Sequence, residues 1–401
     1  MCHDPTLLGE GPYAFVGNYT SLLPDRTLGL EALVSAGVPL SSVITPEHGF
    51  WGAVQAGGSE ADTTFDVGET SLPVHDAYLV EGADLDSLVR RALPASGGRL
   101  LYDLQDIGAR FYTYVWTLFD LMCAAARTGV GVTVLDRPNP LGGERRFGPG
   151  LEERCASFVG RVSIPLQHGL TVGELARLFA AVHVPRATGT TVDLEVITVR
   201  GWSRAQQHAD TGLPWVMPSP NIPTPDSALI YPATCLLEGT VLSEGRGTTR
   251  PFEIIGAPWL DRRLAPALRE RLPGLDVREL VFRPTFSKGA GEALRGVQLA
   301  VDEAFDPIML GVSLLQVIAE LHPDEPLWLP PTADQVDRPP FIDLLWGSAA
   351  LREGIDAGHD LDRIMINSPQ PDPWPDDLLL YGPDELSSPL ITAGAGDPRR
   401  Q

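Results

Sequence analysis

Short apolar runs bounded by Gly or Pro alternate with amphipathic stretches through the first two-thirds of the chain. Runs of this kind suit buried strands, and their alternation with helical patterns is the mark of βα units around a largely parallel, doubly wound sheet. The expected strands are Tyr13 to Gly17, Ser42 to Thr45, Arg99 to Asp103, Gly131 to Asp136 and Val192 to Val199. Between them, Val115, Leu118, Phe119, Met122 and Ala126 fall at helical spacing and form one core-facing stripe. Thr171, with Glu174 three residues on, makes a capping box ahead of Leu175, Leu178, Phe179 and Val182, so a helix is predicted to start there.

The pattern changes at Pro214 to Pro232, a segment rich in Pro, Ser, Asn and Thr that predicts neither a long helix nor a central strand. The crossover between two domains is expected there, dividing the chain into residues 1–225 and 226–401. The second part mixes strands at Val277 to Phe282 and Val297 to Val301 with helices near Arg262 to Arg271 and Ile308 to Leu321, a smaller α+β unit. Residues Pro323 to Pro340 read as a linker, and the chain from about Gly382 as a loose tail.

A length of 401 residues supports two domains, and 43% apolar with 20% charged residues is ordinary globular composition. The net charge of −22 opposes nucleic acid and an anionic membrane face, though locally placed arginines can still hold a carboxylated ligand. No apolar run approaches the roughly 20 residues of a membrane span, and Met1 to Pro12 lacks a leader's basic and apolar regions. The expected compartment is the cytoplasm, the alternative being an exported protein whose leader has been removed. Cys2, Cys123, Cys155 and Cys235 form no C-x-x-C pair, so neither a zinc site nor a disulfide framework is indicated. The oligomeric state stays open.

Three expected strands end in polar clusters: Pro46-Glu47-His48-Gly49, Asp103-Leu104-Gln105-Asp106 with Arg110, and Asp136-Arg137-Pro138-Asn139-Pro140. Ligands of open α/β sheets bind beyond the carboxyl ends of the strands, so these clusters should converge. Neither a dinucleotide or phosphate loop nor a nucleophile elbow follows any strand, which points to a site run by carboxylates and implies no cofactor. The densest cluster runs from Leu236 to Glu253 and holds Glu238, Glu244, Arg246, Thr248 and Arg250 among glycines. Glycines allow close backbone approach and arginines offer bidentate donors, the properties of a binding loop. Upstream, Met217 to Thr224 is stiffened by alternate prolines and can hold Asn221 toward a sugar.

Six runs together carry a resemblance: Thr45-Pro46-Glu47-His48-Gly49-Phe50, Asp103 to Tyr114, Asp136 to Gly143, His168-Gly169-Leu170-Thr171, Pro218 to Thr224, and Glu238 to Phe252. In these, the chain resembles the NamZ-type exo-β-N-acetylmuramidases from about Gly17 to about Gly358. The resemblance implies a Rossmann-like amino-terminal domain, a smaller second domain, and a cleft that removes N-acetylmuramic acid (MurNAc) from the non-reducing ends of MurNAc-GlcNAc fragments of peptidoglycan. Its departures are a start almost at the first expected strand, where many family members carry a leader, and the carboxyl-terminal Asp377-Leu378-Leu379-Leu380-Tyr381, an echo of the family's closing segment followed by extra tail.

Glycoside hydrolysis needs a carboxylic acid to protonate the leaving oxygen and a second group that activates water or attacks the anomeric carbon. Glu47 is the first choice for the acid, its alternative being a helix cap or surface carboxylate. Glu244 and Glu238 are candidates for the second group, with Asp103 and Asp106 behind them, and the choice between retention and inversion stays open. Arg246 and Arg250 either clamp the lactyl carboxylate of MurNAc or pair internally with Glu238, Glu244 or Glu253. Arg110 carries the same ambiguity toward Asp103 and Asp106, with the structural side favoured. Tyr112, Tyr114 and Trp116 wall the sugar site or simply pack, and His168 binds a hydroxyl or serves the fold; His48, Gln105 and Thr248 complete the substrate-facing set. The rival readings are a Mg²⁺ phosphohydrolase built on Glu47, Asp103 and Asp106, and a murein-binding module without catalysis.

Overall fold

The computed structural model describes residues 7–9, 11–58, 63–302, 305–330, 338–375 and 377–382. The first domain runs β1 (Tyr13–Gly17), α1 (Gly29–Ser35), β2 (Leu40–Thr45), β3 (Thr63–Val67), β4 (Thr70–Asp76), α2 (Gly82–Ala92), β5 (Arg99–Asp103), α3 (Tyr114–Thr128), β6 (Gly131–Leu135), α4 (Val172–Leu178), α5 (Val184–Thr188) and β7 (Leu194–Ile197). Its strands lie in the order β3-β4-β2-β1-β5-β6-β7. All pairings are parallel except the β3–β4 hairpin. β1 has β2 on one side and β5 on the other, so the connections diverge at its carboxyl end and open a crevice there. Every residue of β1 is buried, as its uninterrupted apolar run requires of a central strand.

The five expected strands form, and α3 buries Val115, Leu118, Phe119 and Met122 along the anticipated stripe. The β3–β4 hairpin was not anticipated: at the sheet edge only Phe65 of β3 is buried, while β4 alternates with Leu72 and Val74 inward, too faint a pattern to stand out. The capping box at Thr171 is present with both of its hydrogen bonds. Past Leu178, however, the helix widens into a π turn over Phe179–His183, in which the amide of Val184 reaches the carbonyl of Phe179. Pro185 has no amide to continue the ladder, and the extra residue in the wide turn shifts the phase. His183 and Val184 therefore enter the core, and Val182, expected there, is only half-buried.

The Pro-rich segment also differs from expectation, because α6 (Pro225–Thr234) begins inside it. Pro225 occupies the first turn, where its missing amide costs nothing, and the Thr224 hydroxyl caps the amide of Ser227 at 3.1 Å. The second domain then builds a three-stranded antiparallel sheet in the order β8 (Ile254–Ala257), β10 (Leu294–Ala300), β9 (Asp276–Phe282). Its helices are α7 (Leu264–Arg271), α8 (Pro307–Leu321), α9 (Phe341–Trp346), α10 (Ala350–Asp356) and α11 (Leu361–Ile366). The expected linker is partly paired: the amide of Val241 donates to Leu327 O at 2.9 Å and that of Leu329 to Gly239 O at 3.1 Å, while 331–337 lie outside the described residues. The expected tail beyond Gly382 lies outside them as well.

Just before it, the Asp377 to Tyr381 segment docks on the first domain. Leu378 and Tyr381 are buried, with the Tyr381 ring edge-on to Trp202 at 5.0 Å. The Tyr381 hydroxyl donates to Asp136 Oδ2 at 2.5 Å. Burial pushes the Asp136 carboxyl up to about 6 against the pull of that hydroxyl, the Gly173 amide and the Thr171 hydroxyl. At pH 7.5 the carboxylate is ionised and relies on those donors. Tyr381→Phe should cost about 1.5–3 kcal/mol, the range for a hydrogen bond to a charged group, and lower the melting temperature accordingly. An unchanged melt would show that the segment contributes nothing there.

Candidate active site

β2 delivers the chain into Pro46 and Glu47, and the turn closes with the Gly49 amide on Pro46 O at 3.2 Å. His48 takes a left-handed φ of 73° to make that turn, held by Nδ1 at 2.8 Å from Val54 O. A non-glycine residue in this conformation is strained and persists where its surroundings enforce it. The result turns Glu47, only 6% exposed, into the crevice. Its Oε1 accepts the Gly57 amide at 2.8 Å and its Oε2 the Thr113 hydroxyl at 2.7 Å. Tyr78, just past β4, lines the same cavity close enough to feel the charge of this carboxylate. Burial raises the Tyr78 phenol above its ordinary value, and the charge of Glu47 raises it further, so it remains a neutral donor. Burial lowers His48, with Glu47 and Arg246 pulling in opposite directions.

These groups line a cavity of about 240 Å³, slightly below the usual range of small-molecule clefts and suited to one sugar ring. Tyr231, Glu238, Arg246, Phe252 and Phe341 of the second domain close its far side. Arg246 lies over the Phe252 ring, its central carbon 5.1 Å from the centroid, with Nη2 at 2.9 Å from Glu238 Oε1 and Nε at 3.3 Å from Glu244 Oε1. Burial alone would lower the guanidinium, but Glu238 and Glu244 outweigh it and hold Arg246 above its ordinary value. The loop needs its glycines: a Cβ on Gly247, at φ 81°, would meet Phe286 O at 2.6 Å.

Glu244 does not line the cavity. Its side chain is 2% exposed and lies between Arg246 and Lys288, whose Nζ is 2.9 Å from Oε2. Lys288, the single lysine of the chain, also donates to Leu237 O at 2.8 Å and Leu242 O at 3.1 Å. A compact ammonium on a flexible stem can turn its three donors to acceptors that converge from several directions. Lys288→Met should destabilise the protein by on the order of 3 kcal/mol, because Glu244 keeps its charge and loses a partner. Urea unfolding checks this, and a midpoint equal to the parent's would contradict it.

The structure brings Glu47, His48, Tyr112, Glu238 and Arg246 to one cavity and places the other expected residues elsewhere. Asp103 pairs with Arg137, Oδ1 to Nε at 2.6 Å. Gln105 donates to Asp106 O and Pro138 O at 2.8 and 3.0 Å. His168 is fully buried; its Nδ1 accepts the Leu170 amide, so Nε2 carries the proton toward Asp106 Oδ2 at 3.1 Å. Arg110 is also fully buried and donates to five carbonyls, with neither Asp103 nor Asp106 as partner. Tyr114 and Trp116 pack in the core. Asn221 donates to Gln55 Oε1 at 3.0 Å, beside the wall residue Ile222. Thr248 closes its own loop on Gly245 O at 2.6 Å, and half-exposed Arg250 pairs with Glu253 at 2.8 Å. Among the described residues, no three His, Cys, Asp or Glu side chains group as metal ligands, so Glu47, Asp103 and Asp106 make no such set.

Gly57, Tyr78, Thr113, Phe341 and Lys288 were not anticipated. Thr113 stands inside the quoted Asp103 to Tyr114 run, and the lone lysine of an arginine-rich chain was a visible oddity. Nothing local marked the others. A second cavity, about 270 Å³, lies along Gln167, Arg204 and Leu310, but its acids Glu144, Asp210 and Asp302 are exposed, without the buried carboxylates hydrolysis needs.

The fold and cavity define a two-domain α/β enzyme whose carboxylates, one from each domain, face a single small chamber. The chain matches the model of the amino-terminal domain of exo-β-N-acetylmuramidase NamZ over residues 13–226 and that of its carboxyl-terminal domain over 229–370, and it belongs to that family. It is 40% identical over 335 residues to the peptidoglycan β-N-acetylmuramidase NamZ of Bacillus subtilis (strain 168), covering 82% of this chain and 76% of that one. Two crystal structures of DUF1343 family proteins from Bacteroides fragilis NCTC 9343 share the fold. One has a TM-score of 0.77 at 30% identity, covering 90% of this chain and 91% of its own; the other has 0.68 at 26%, covering 91% of each.

Proposed function

We propose that this protein is an exo-acting glycosidase that hydrolyses the bond holding a terminal, non-reducing MurNAc residue on peptidoglycan fragments. The observation that carries the reading is the meeting of Glu47 from the first domain with Glu238 and Arg246 from the second around one sugar-sized cavity. Glu47 protonates the departing glycosidic oxygen. Glu238, on the opposite domain and 22% exposed, is the better candidate for the second carboxylate than Glu244, which is enclosed between two cations. Arg246 has five N–H donors, of which two meet carboxylates, leaving others for the lactyl acid that distinguishes MurNAc from GlcNAc. We put the division of the domains at 225/226, a reading supported by the start of α6 one residue earlier, at Pro225.

Incubation with a MurNAc-GlcNAc disaccharide should release free MurNAc, with or without EDTA. No release, or an EDTA-sensitive phosphatase activity in its place, would overturn the reading. Arg246→Ala should lower the preference for MurNAc over GlcNAc glycosides by about 100-fold, the discrimination expected when a charge-assisted pair is lost. Equal discrimination in parent and variant would remove Arg246 from that role.

A further inference from the structure

We infer that the transferable proton of Glu47 resides on Oε2 and that Thr113 is the positioning residue that presents it, an inference resting on the glycosidase reading above. The two carboxyl oxygens of Glu47 are not equivalent. Oε1 faces the Gly57 amide at 2.8 Å, a group that can only donate. The hydroxyl oxygen of a carboxylic acid is a poor acceptor and its carbonyl oxygen a good one, so the neutral acid keeps its carbonyl at Oε1 and its proton at Oε2. Oε2 faces the Thr113 hydroxyl at 2.7 Å, a group that both donates and accepts.

The local structure of Thr113 supports this assignment. It stands at the amino-terminal cap of α3, where a threonine ordinarily turns its hydroxyl onto the helix's free amides. Here the side chain makes no capping hydrogen bond, and its hydroxyl goes to Glu47 instead. Its backbone is already helical, φ −72° and ψ −16°, and its carbonyl accepts the amides of Trp116 and Thr117, so the Cα is fixed while the hydroxyl can still turn. Both residues line the cavity, which also presents His48, Tyr78, Glu238 and Arg246 to Glu47.

The step balances. With Glu47 neutral, Thr113 Oγ accepts from Oε2 and keeps the proton on that oxygen until the O–H turns to the bound glycosidic oxygen. The proton then passes to the glycosidic oxygen as the bond from that oxygen to the anomeric carbon breaks, and the electron pair stays on the leaving sugar. Thr113 turns to donate to the new carboxylate. With Glu238 as the second carboxylate, water supplies hydroxide to the anomeric carbon, and the proton it leaves behind restores Oε2 directly or through solvent.

The test compares leaving groups. Thr113→Val keeps the shape and removes the hydroxyl, so kcat on a MurNAc-GlcNAc disaccharide, whose departing alkoxide needs the proton, should fall about 10- to 100-fold. With 4-nitrophenyl MurNAc, whose leaving group departs unprotonated, kcat should stay within about twofold of the parent, and KM should change little for either substrate, because only a loss confined to the proton-dependent step is expected. Thr113→Ser should restore the disaccharide activity, and Thr113→Ala serves in place of Val if that variant melts early. Equal losses on both substrates, parent activity on both, or failure of serine to restore it would overturn the assignment. A Glu47→Gln control still active on the disaccharide would instead remove the glycosidase assignment of Glu47 itself.

Discussion

Glu47→Gln should lose at least about 10²- to 10⁴-fold in kcat on the disaccharide, the usual contribution of a positioned general acid. It should do so without unfolding. The amide oxygen can take the place of Oε1 and accept from Gly57, while the amide nitrogen donates to the Thr113 hydroxyl at the position of Oε2. The fold around β2 is therefore satisfied, the cavity keeps its shape, and sugar affinity should remain. What the variant lacks is a proton it can release. A kcat within threefold of the parent would remove Glu47 from the chemistry, whatever its burial.

The largest effect on stability is expected at Arg110. Its guanidinium is fully buried; Nη1 shares its two hydrogens among Pro149 O and Gly150 O at 2.8 Å and Ile164 O at 2.9 Å, and Nη2 donates to Leu345 O and Trp346 O at 3.0 and 2.7 Å. The last two are terminal carbonyls of α9, so the cation sits at the negative end of that helix and ties the second domain to loops of the first. No carboxylate is needed, because five carbonyl dipoles stabilise the charge; burial still pulls Arg110 down to about 9. Arg110→Met would strand five buried acceptors. At about 1–3 kcal/mol for each unsatisfied group, partial relaxation still leaves a loss above about 5 kcal/mol, comparable to the whole stability of many domains. The variant should be insoluble or unfold at much lower urea, and Arg110→Lys, with three donors, should fall between. A Met variant with the parental midpoint would contradict this account of the domain junction.

Much of the first domain was legible in the sequence because its central strands are buried on both faces and leave unbroken apolar runs, as Tyr13 to Gly17 does. The β3–β4 hairpin was not, since an edge strand with one buried side chain carries little signal. Glu47 and the Glu238 to Phe252 loop were legible as polar, glycine-rich chemistry after apolar runs. Which acids face the cavity was not. Glu238 and Glu244 are six residues apart, and their different fates depend on Lys288, more than forty residues away, whose approach sequence spacing cannot show. The same holds for Arg110, read as a neighbour of Asp103 and Asp106 but drawn instead to carbonyls of α9, over two hundred residues on.

The most direct measurement is a crystal structure of Glu47→Gln soaked with a MurNAc-GlcNAc disaccharide. The MurNAc ring should occupy the cavity between residue 47 and Glu238, with its lactyl carboxylate on Arg246 and the glycosidic oxygen within hydrogen-bond reach of the residue 47 amide. A sugar bound instead along Gln167 and Arg204, or one whose scissile bond lies beyond reach of residue 47, would contradict the account.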